Sequence, residues 1–137
     1  MVKKDLVLQK LKDLDRYLGQ LRKHKGANAR ELEEDLEKLW IIERGLQICI
    51  QIVLDIGNHI LAEKGLSVDS YKDILQELGK QNIIPQEFVQ KISGMAGLRN
   101  ILVHEYAKVD AVLLAGILNE GLDDFKQFAE YVIAAID

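Results

Sequence analysis

The sequence predicts an all-α protein, an up-and-down bundle of four main helices plus a short fifth. Apolar residues recur at spacings of three and four nearly everywhere, which is the period of one helix face. No stretch alternates apolar and polar residues long enough to make a strand. The single proline, Pro85, and ten scattered glycines leave long segments without a breaker and give no linker or low-complexity tract. With 137 residues, 48% of them hydrophobic, the chain has enough apolar surface for a core of its own. A single domain over residues 1–137 follows.

Val7, Leu11, Leu14, Leu18 and Leu21 form a heptad stripe on a first helix over about residues 3–24. Lys23-His24-Lys25-Gly26 ends it, with cations where the helix dipole is negative and a glycine to stop the turn. Asn28 is placed to cap a second helix, and Glu31, Glu33, Glu34 and Asp35 crowd its first turns. Its apolar positions, Leu32, Leu36, Leu39, Trp40, Ile42, Leu46, Ile50, Val53, Ile56 and Ile60, keep helical spacing up to Lys64-Gly65. One helix of more than thirty residues is therefore expected. Ser70 caps a short helix reaching about Gln81, with Tyr71, Ile74, Leu75 and Leu78 inward. Pro85 opens the next helix, where proline suits the first turn, and Phe88, Val89, Ile92 and Leu98 face the core. Gly94 and Gly97 weaken that helix by about 1 kcal/mol each relative to Ala, so a close packing contact is expected there to offset the cost. Asp110 caps a last helix carrying Leu114, Ile117, Leu118, Leu122, Phe125, Phe128, Val132 and Ile136, with Gly121 as a candidate bend.

Several classes are disfavoured by composition. The longest apolar run, Ala111 to Leu118, is far short of the ~18 residues of a membrane helix, and the opening residues lack the apolar core of a signal peptide. A cytoplasmic protein with no membrane partner is expected. The lone Cys49 sits in an apolar helical pattern, which excludes an internal disulfide and reads as packing. Net charge is −4 but uneven: residues 1–30 hold nine Lys or Arg against Asp5, Asp13 and Asp15, leaving +6 there and −10 elsewhere. A basic first helix of this kind either meets phosphates or pairs with the acidic run Glu31 to Glu37; the pairing is the expected outcome.

Two polar groupings interrupt the apolar pattern. Gln47, Gln51, Asp55, Asn58 and His59 form a line on the long second helix, where each must find a hydrogen bond or line a cleft. Asp55 and His59 alone are too few ligands for a metal. The second grouping is Gly97-Leu-Arg-Asn-Ile-Leu-Val-His-Glu-Tyr106. On a continuous helix, with about 100° per residue, Arg99, Asn100, His104 and Tyr106 share one half of the wheel and Leu98, Ile101 and Leu102 the other. Gly97 would lie near His104 and let another backbone approach the imidazole.

Arg99, four residues, His104, one residue and Tyr106 resemble the Arg-x4-His-x-Tyr signature of the HEPN superfamily, specifically the HepT-type toxins. The match includes Asn100 and extends over essentially the whole chain. The resemblance implies a metal-independent endoribonuclease with no cofactor, its Arg99 and His104 catalytic and paired with those of a second subunit in a homodimer. It also implies a cognate MntA-like nucleotidyltransferase antitoxin that transfers AMP onto Tyr106, and a supporting role for Asp55, Asn58 and His59. The residue chemistry agrees. RNA cleavage by 2′-hydroxyl attack needs a proton acceptor, positive charge on the phosphate and a proton donor for the leaving oxygen. Imidazole, with an ordinary pKa of about 6.5, exchanges protons near neutrality, and guanidinium matches phosphate oxygens. Asn100 is placed to orient the ring or hold a phosphate oxygen, and Tyr106 to stack on a base. The competing reading is a non-catalytic nucleotide-binding or scaffolding module that partners a minimal nucleotidyltransferase. In a purely structural protein, Arg99 would simply pair with an acid such as Asp55.

Overall fold

The computed structural model describes residues 3–104 and 109–137. Among the described residues the chain is all-α, with no strand. The elements are α1 (Lys4–Arg22), α2 (Ala29–Glu34), α3 (Leu36–Glu63), α4 (Tyr71–Lys80), α5 (Gln86–Ile92), α6 (Met95–Leu102), α7 (Ala111–Gly116), a π-helical turn (Ile117–Gly121) and α8 (Leu122–Ile136). The predicted stripe of α1 is buried as expected, from Val7 to Leu21.

α3 is the mast of the bundle. α1, α2, α4, α6 and α8 all contact it, and it contributes ten buried residues, from Ile42 to Leu61. Two glycines let its neighbours come close. A Cβ on Gly45 would sit 2.6 Å from Leu21 Cδ2, and one on Gly57 would sit 2.7 Å from Ile74 Cγ2, so α1 and α4 press against bare backbone. The Gly57 contact seats α4, whose first residue is Tyr71. Among the described residues no helix is long and apolar enough to cross a membrane.

Four expectations need revision. The long second helix is two: Asp35 adopts an extended conformation (φ −114°, ψ 94°) and its carboxylate accepts the N–H of Lys38 at 3.1 Å. Asp competes for backbone donors better than it continues a helix, so it acts as a second cap, seven residues after Asn28 caps α2. Leu36 and Trp40 lie outside the core, Trp40 with 61% of its surface exposed. α1 ends at Arg22, next to the Leu21–Gly45 contact, so the first turns of α3 run past the helix that would have covered them.

The helix opened by Pro85 also breaks, at Ser93–Gly94, where Ser93 Oγ donates to Gln90 O at 2.9 Å and glycine adds little helical preference. Finally, the basic α1 does not pair with Glu31 to Glu37. Its ion pairs among the described residues reach α8 instead, Lys4 to Asp137 at 2.8 Å and Arg22 to Asp123 at 4.0 Å. The acidic run is served by its own neighbours, Arg30 with Glu34 and Lys38 with Glu31.

The last helix is interrupted more productively. The π-helical turn ending at Gly121 directs Asn119 toward the α1–α2 turn. There its side-chain oxygen accepts the N–H of Gly26 at 2.6 Å, and its Nδ2 donates to Ala27 O and Ala115 O, each at 2.9 Å. Gly26 has φ +104°, which few side chains tolerate. One amide thus ties the α1–α2 turn to the junction of α7 and α8.

Candidate functional site

Arg99 leaves α6 half-buried and is held from three sides. Its Nε donates to Gln51 Oε1 of α3 at 2.9 Å, and Gln51 Nε2 donates in turn to Asp55 Oδ1, one helical turn further on, at 2.8 Å. Its guanidinium carbon lies 4.6 Å from the ring centroid of Tyr71 on α4. Its Nη1 donates to Asn100 Oδ1 at 3.3 Å. The direct Arg99–Asp55 pair is not formed; among the described residues no carboxylate lies within ion-pair distance of Arg99. Asp55 acts through Gln51, and of the fork's outer nitrogens only Nη1 is engaged among the described residues, by Asn100.

This arrangement follows from local sequence. Gln51 and Asp55 are four apart, so they stack on one face of α3. Ser70 Oγ accepts the Asp73 N–H at 3.1 Å and starts α4 with Tyr71 as its first residue. Gly57 then seats α4 closely enough on α3 for the Tyr71 ring to lie beneath the guanidinium.

Two cavities meet at Ser70 and Tyr71. One, about 400 Å³, is lined by Asp55, Asn58, Asp69 and Ile74 as well. The other, about 450 Å³, adds Lys72, Ser93, Gly97 and Asn100. Asn58 is therefore near the site. His59 lines neither cavity; its Nε2 is buried and has no hydrogen-bond partner.

α6 ends at Leu102, so the helical wheel drawn through residue 106 does not hold beyond that point. His104 is exposed just past the C-terminus, its N–H bonded to Ile101 O at 3.2 Å in a tightened last turn. The structure thus places His104 in the turn after α6 and not on its helical face. Tyr106 lies outside the described residues. Gly94 and Gly97 do not make the expected close packing: a Cβ on either would meet no atom within 4 Å. Their open side borders an apolar groove of about 450 Å³ formed with Ile50, Met95, Ile101, Leu113 and Phe125. Ile101 and Leu113 are 43% and 47% exposed there.

Cys49 is fully buried, and burial pushes its thiol up to about 12, so it stays protonated and takes no part in chemistry. The sequence alone does not single out two participants. Gln51 stands there only as part of a polar line, and Tyr71 reads as a core residue; the signal for both is an arginine needing partners it cannot find on its own helix.

A family model described as "Ribonuclease HepT-like" matches residues 8–132. A protein of Shewanella oneidensis named mRNA nuclease HepT is 27% identical over 131 residues, covering 95% of this chain and 98% of that one. One of Aphanizomenon flos-aquae named tRNA nuclease HepT is 35% identical over 107 residues, 77% of this chain and 72% of that one. Among solved structures, a toxin–antitoxin complex with AMP-PNP superposes with a TM-score of 0.86 at 26% identity, covering 95% of this chain and 98% of its counterpart. A tri-AMPylated Shewanella oneidensis HEPN toxin in complex with MNT antitoxin gives 0.84 at 27%, with the same coverage. With its all-α architecture and the Arg99 to His104 spacing, this chain belongs to the HepT-like ribonuclease family of HEPN proteins.

Proposed function

We propose that this HepT-like endoribonuclease is the toxin of a toxin–antitoxin pair and cuts RNA without a metal, in a cleft shared by two copies of the chain. The observation that carries the reading is the tethering of Arg99. A guanidinium fixed by Gln51, Tyr71 and Asn100, with no neutralising carboxylate among the described residues, is preorganised for an anion. Its counterpart is His104, exposed beyond the end of the same helix.

In this mechanism an imidazole takes the proton from a ribose 2′-hydroxyl, and the oxygen attacks the adjacent phosphorus. Guanidinium stabilises the charge that accumulates on the phosphoryl oxygens. The bond to the 5′-oxygen breaks as that oxygen receives a proton from a second acid, leaving a 2′,3′-cyclic phosphate and a 5′-hydroxyl. A homodimer supplies two imidazoles, one for each proton transfer. The apolar groove beside Gly94 and Gly97, with exposed Ile101 and Leu113 at its mouth, suits an isologous contact between two motif helices. The Shewanella complex, an AMPylated toxin with its MNT antitoxin, supports a nucleotidyltransferase partner here, with Tyr106 as the acceptor. A bulky anion on that tyrosine would occupy Arg99 and block RNA.

The test is cleavage of a mixed RNA pool in the presence of chelator. Wild type is expected to leave cyclic phosphate ends, and Arg99→Ala and His104→Ala to lose activity by about two to three orders of magnitude. Equal inactivity of wild type and His104→Ala would remove the enzymatic reading. Tight nucleotide binding without RNA cleavage would favour a scaffolding module.

A further inference from the structure

We propose that the exposed face of α3 running from Gln51 back to Trp40 is a track for single-stranded RNA, with Arg44 contacting a backbone phosphate and Trp40 stacking on an unpaired base. This rests on the ribonuclease reading and says where the RNA on one side of the cut bond would lie.

The face is defined by helical phase. At about 100° per residue, Trp40, Arg44, Gln47, Gln51, Asp55 and Asn58 all fall within roughly 40° of Gln51. Gln51 is the residue to which Arg99 is bonded, so the stripe runs directly from the guanidinium. At about 1.5 Å per residue, Arg44 lies roughly 10 Å along the axis from Gln51, and Trp40 roughly 16 Å. Arg44 is exposed and makes no ion pair among the described residues. Trp40 is 61% exposed, on a part of α3 that α1 does not reach. Past Trp40 the face turns acidic at Glu37, which is exposed and would repel a phosphate backbone, so the track ends there.

The residue types fit single strands better than a protein partner. An aromatic face offers sequence-tolerant stacking to any unpaired base, and a permanently charged fork offers a phosphate contact. The positions between Arg44 and the site are polar, Gln47 and Gln51; the exposed apolar residues, Leu36 and Ile41, lie at the Trp40 end of the face. Arg44 is the one cation on this stripe, and with Arg99 at its end it gives an acidic chain two phosphate contacts without a broadly basic surface.

Trp40 is the only tryptophan, so its fluorescence reports this site alone. The experiment uses the His104→Ala protein and a short, labelled, single-stranded RNA of mixed sequence, with anisotropy reading binding and tryptophan emission reading contact. RNA is expected to quench Trp40 in step with anisotropy. Trp40→Ala should weaken binding about tenfold or more, with most of it restored in Trp40→Phe. Arg44→Ala should weaken it and lower the slope of log affinity against log salt by about 0.7, the increment that one neutralised phosphate gives on a single strand. RNA binding that leaves Trp40 emission and the Arg44→Ala salt slope unchanged overturns the track while sparing the ribonuclease. A Trp40→Ala protein that changes subunit assembly instead makes this face a protein interface and also overturns it. No RNA binding by anisotropy removes both readings.

Discussion

Arg99 shows how little of a site's quality lies in the residue named by a motif. Its charge is intrinsic, but its aim is set by Gln51, whose own amide is fixed by Asp55, and by the ring of Tyr71. Tyr71→Ala should therefore lower cleavage about tenfold, the kinetic equivalent of about 1.4 kcal/mol, while Tyr71→Phe keeps the ring and the rate. Gln51→Leu should cost at least as much, since it removes the acceptor of the Arg99 Nε–H. Gly97 makes an opposite kind of prediction. A Cβ there meets nothing within the protomer, so Gly97→Ala should stabilise the monomer to denaturant by up to about 1 kcal/mol through helix propensity. If the open side seats a second copy, the same change should weaken dimer association in sedimentation. A variant that is more stable and less assembled identifies the surface, and unchanged association would place the contact elsewhere. Cys49, buried with its thiol near 12, should resist alkylation at pH 8 in the folded protein.

Among elements, α1 was legible from its stripe, Val7 to Leu21, and α4 from cap and stripe together, Ser70 and the Tyr71–Leu78 face. The misreadings share one cause: a residue that serves a helix can also end one. Asp35 looks like another acid in a first turn yet caps α3, and the pair Ser93–Gly94 divides a stretch whose apolar spacing is unbroken. Periodicity reports which face is buried, not where the backbone ladder is cut. The π-helical turn has no sequence signal beyond Gly121, although its purpose is plain once Asn119 is seen bonded to Gly26 and Ala27. Asn119→Ala should destabilise the fold by about 2 kcal/mol in thermal or denaturant unfolding, because it strands a part-buried carbonyl and an N–H in a tight turn. Asn119→Asp should restore the contact to Gly26 but not those to Ala27 and Ala115.

At the scale of the whole molecule, each layer positions the next. α3 spans the bundle and offers a polar face; Gly57 draws α4 in to place a ring; α6 presents Arg99 to both and ends just before His104. The Arg99–His104 spacing was readable in the sequence because it is local, two residues five positions apart. The tethering was not, because it joins residues 48 positions apart through a helix crossing. One protomer leaves open a bare glycine edge and an apolar groove on α6, the helix that carries Arg99, and the proposed second copy would close them. Subunit mixing tests this most directly: Arg99→Ala and His104→Ala proteins, each inactive, are unfolded together, refolded and assayed on RNA with chelator. The account predicts activity well above the sum of the two separate variants, since mixed dimers bring an intact guanidinium from one protomer to an intact imidazole of its partner. Activity no greater than that sum, in a sample shown to contain mixed dimers, would contradict a cleft shared between subunits.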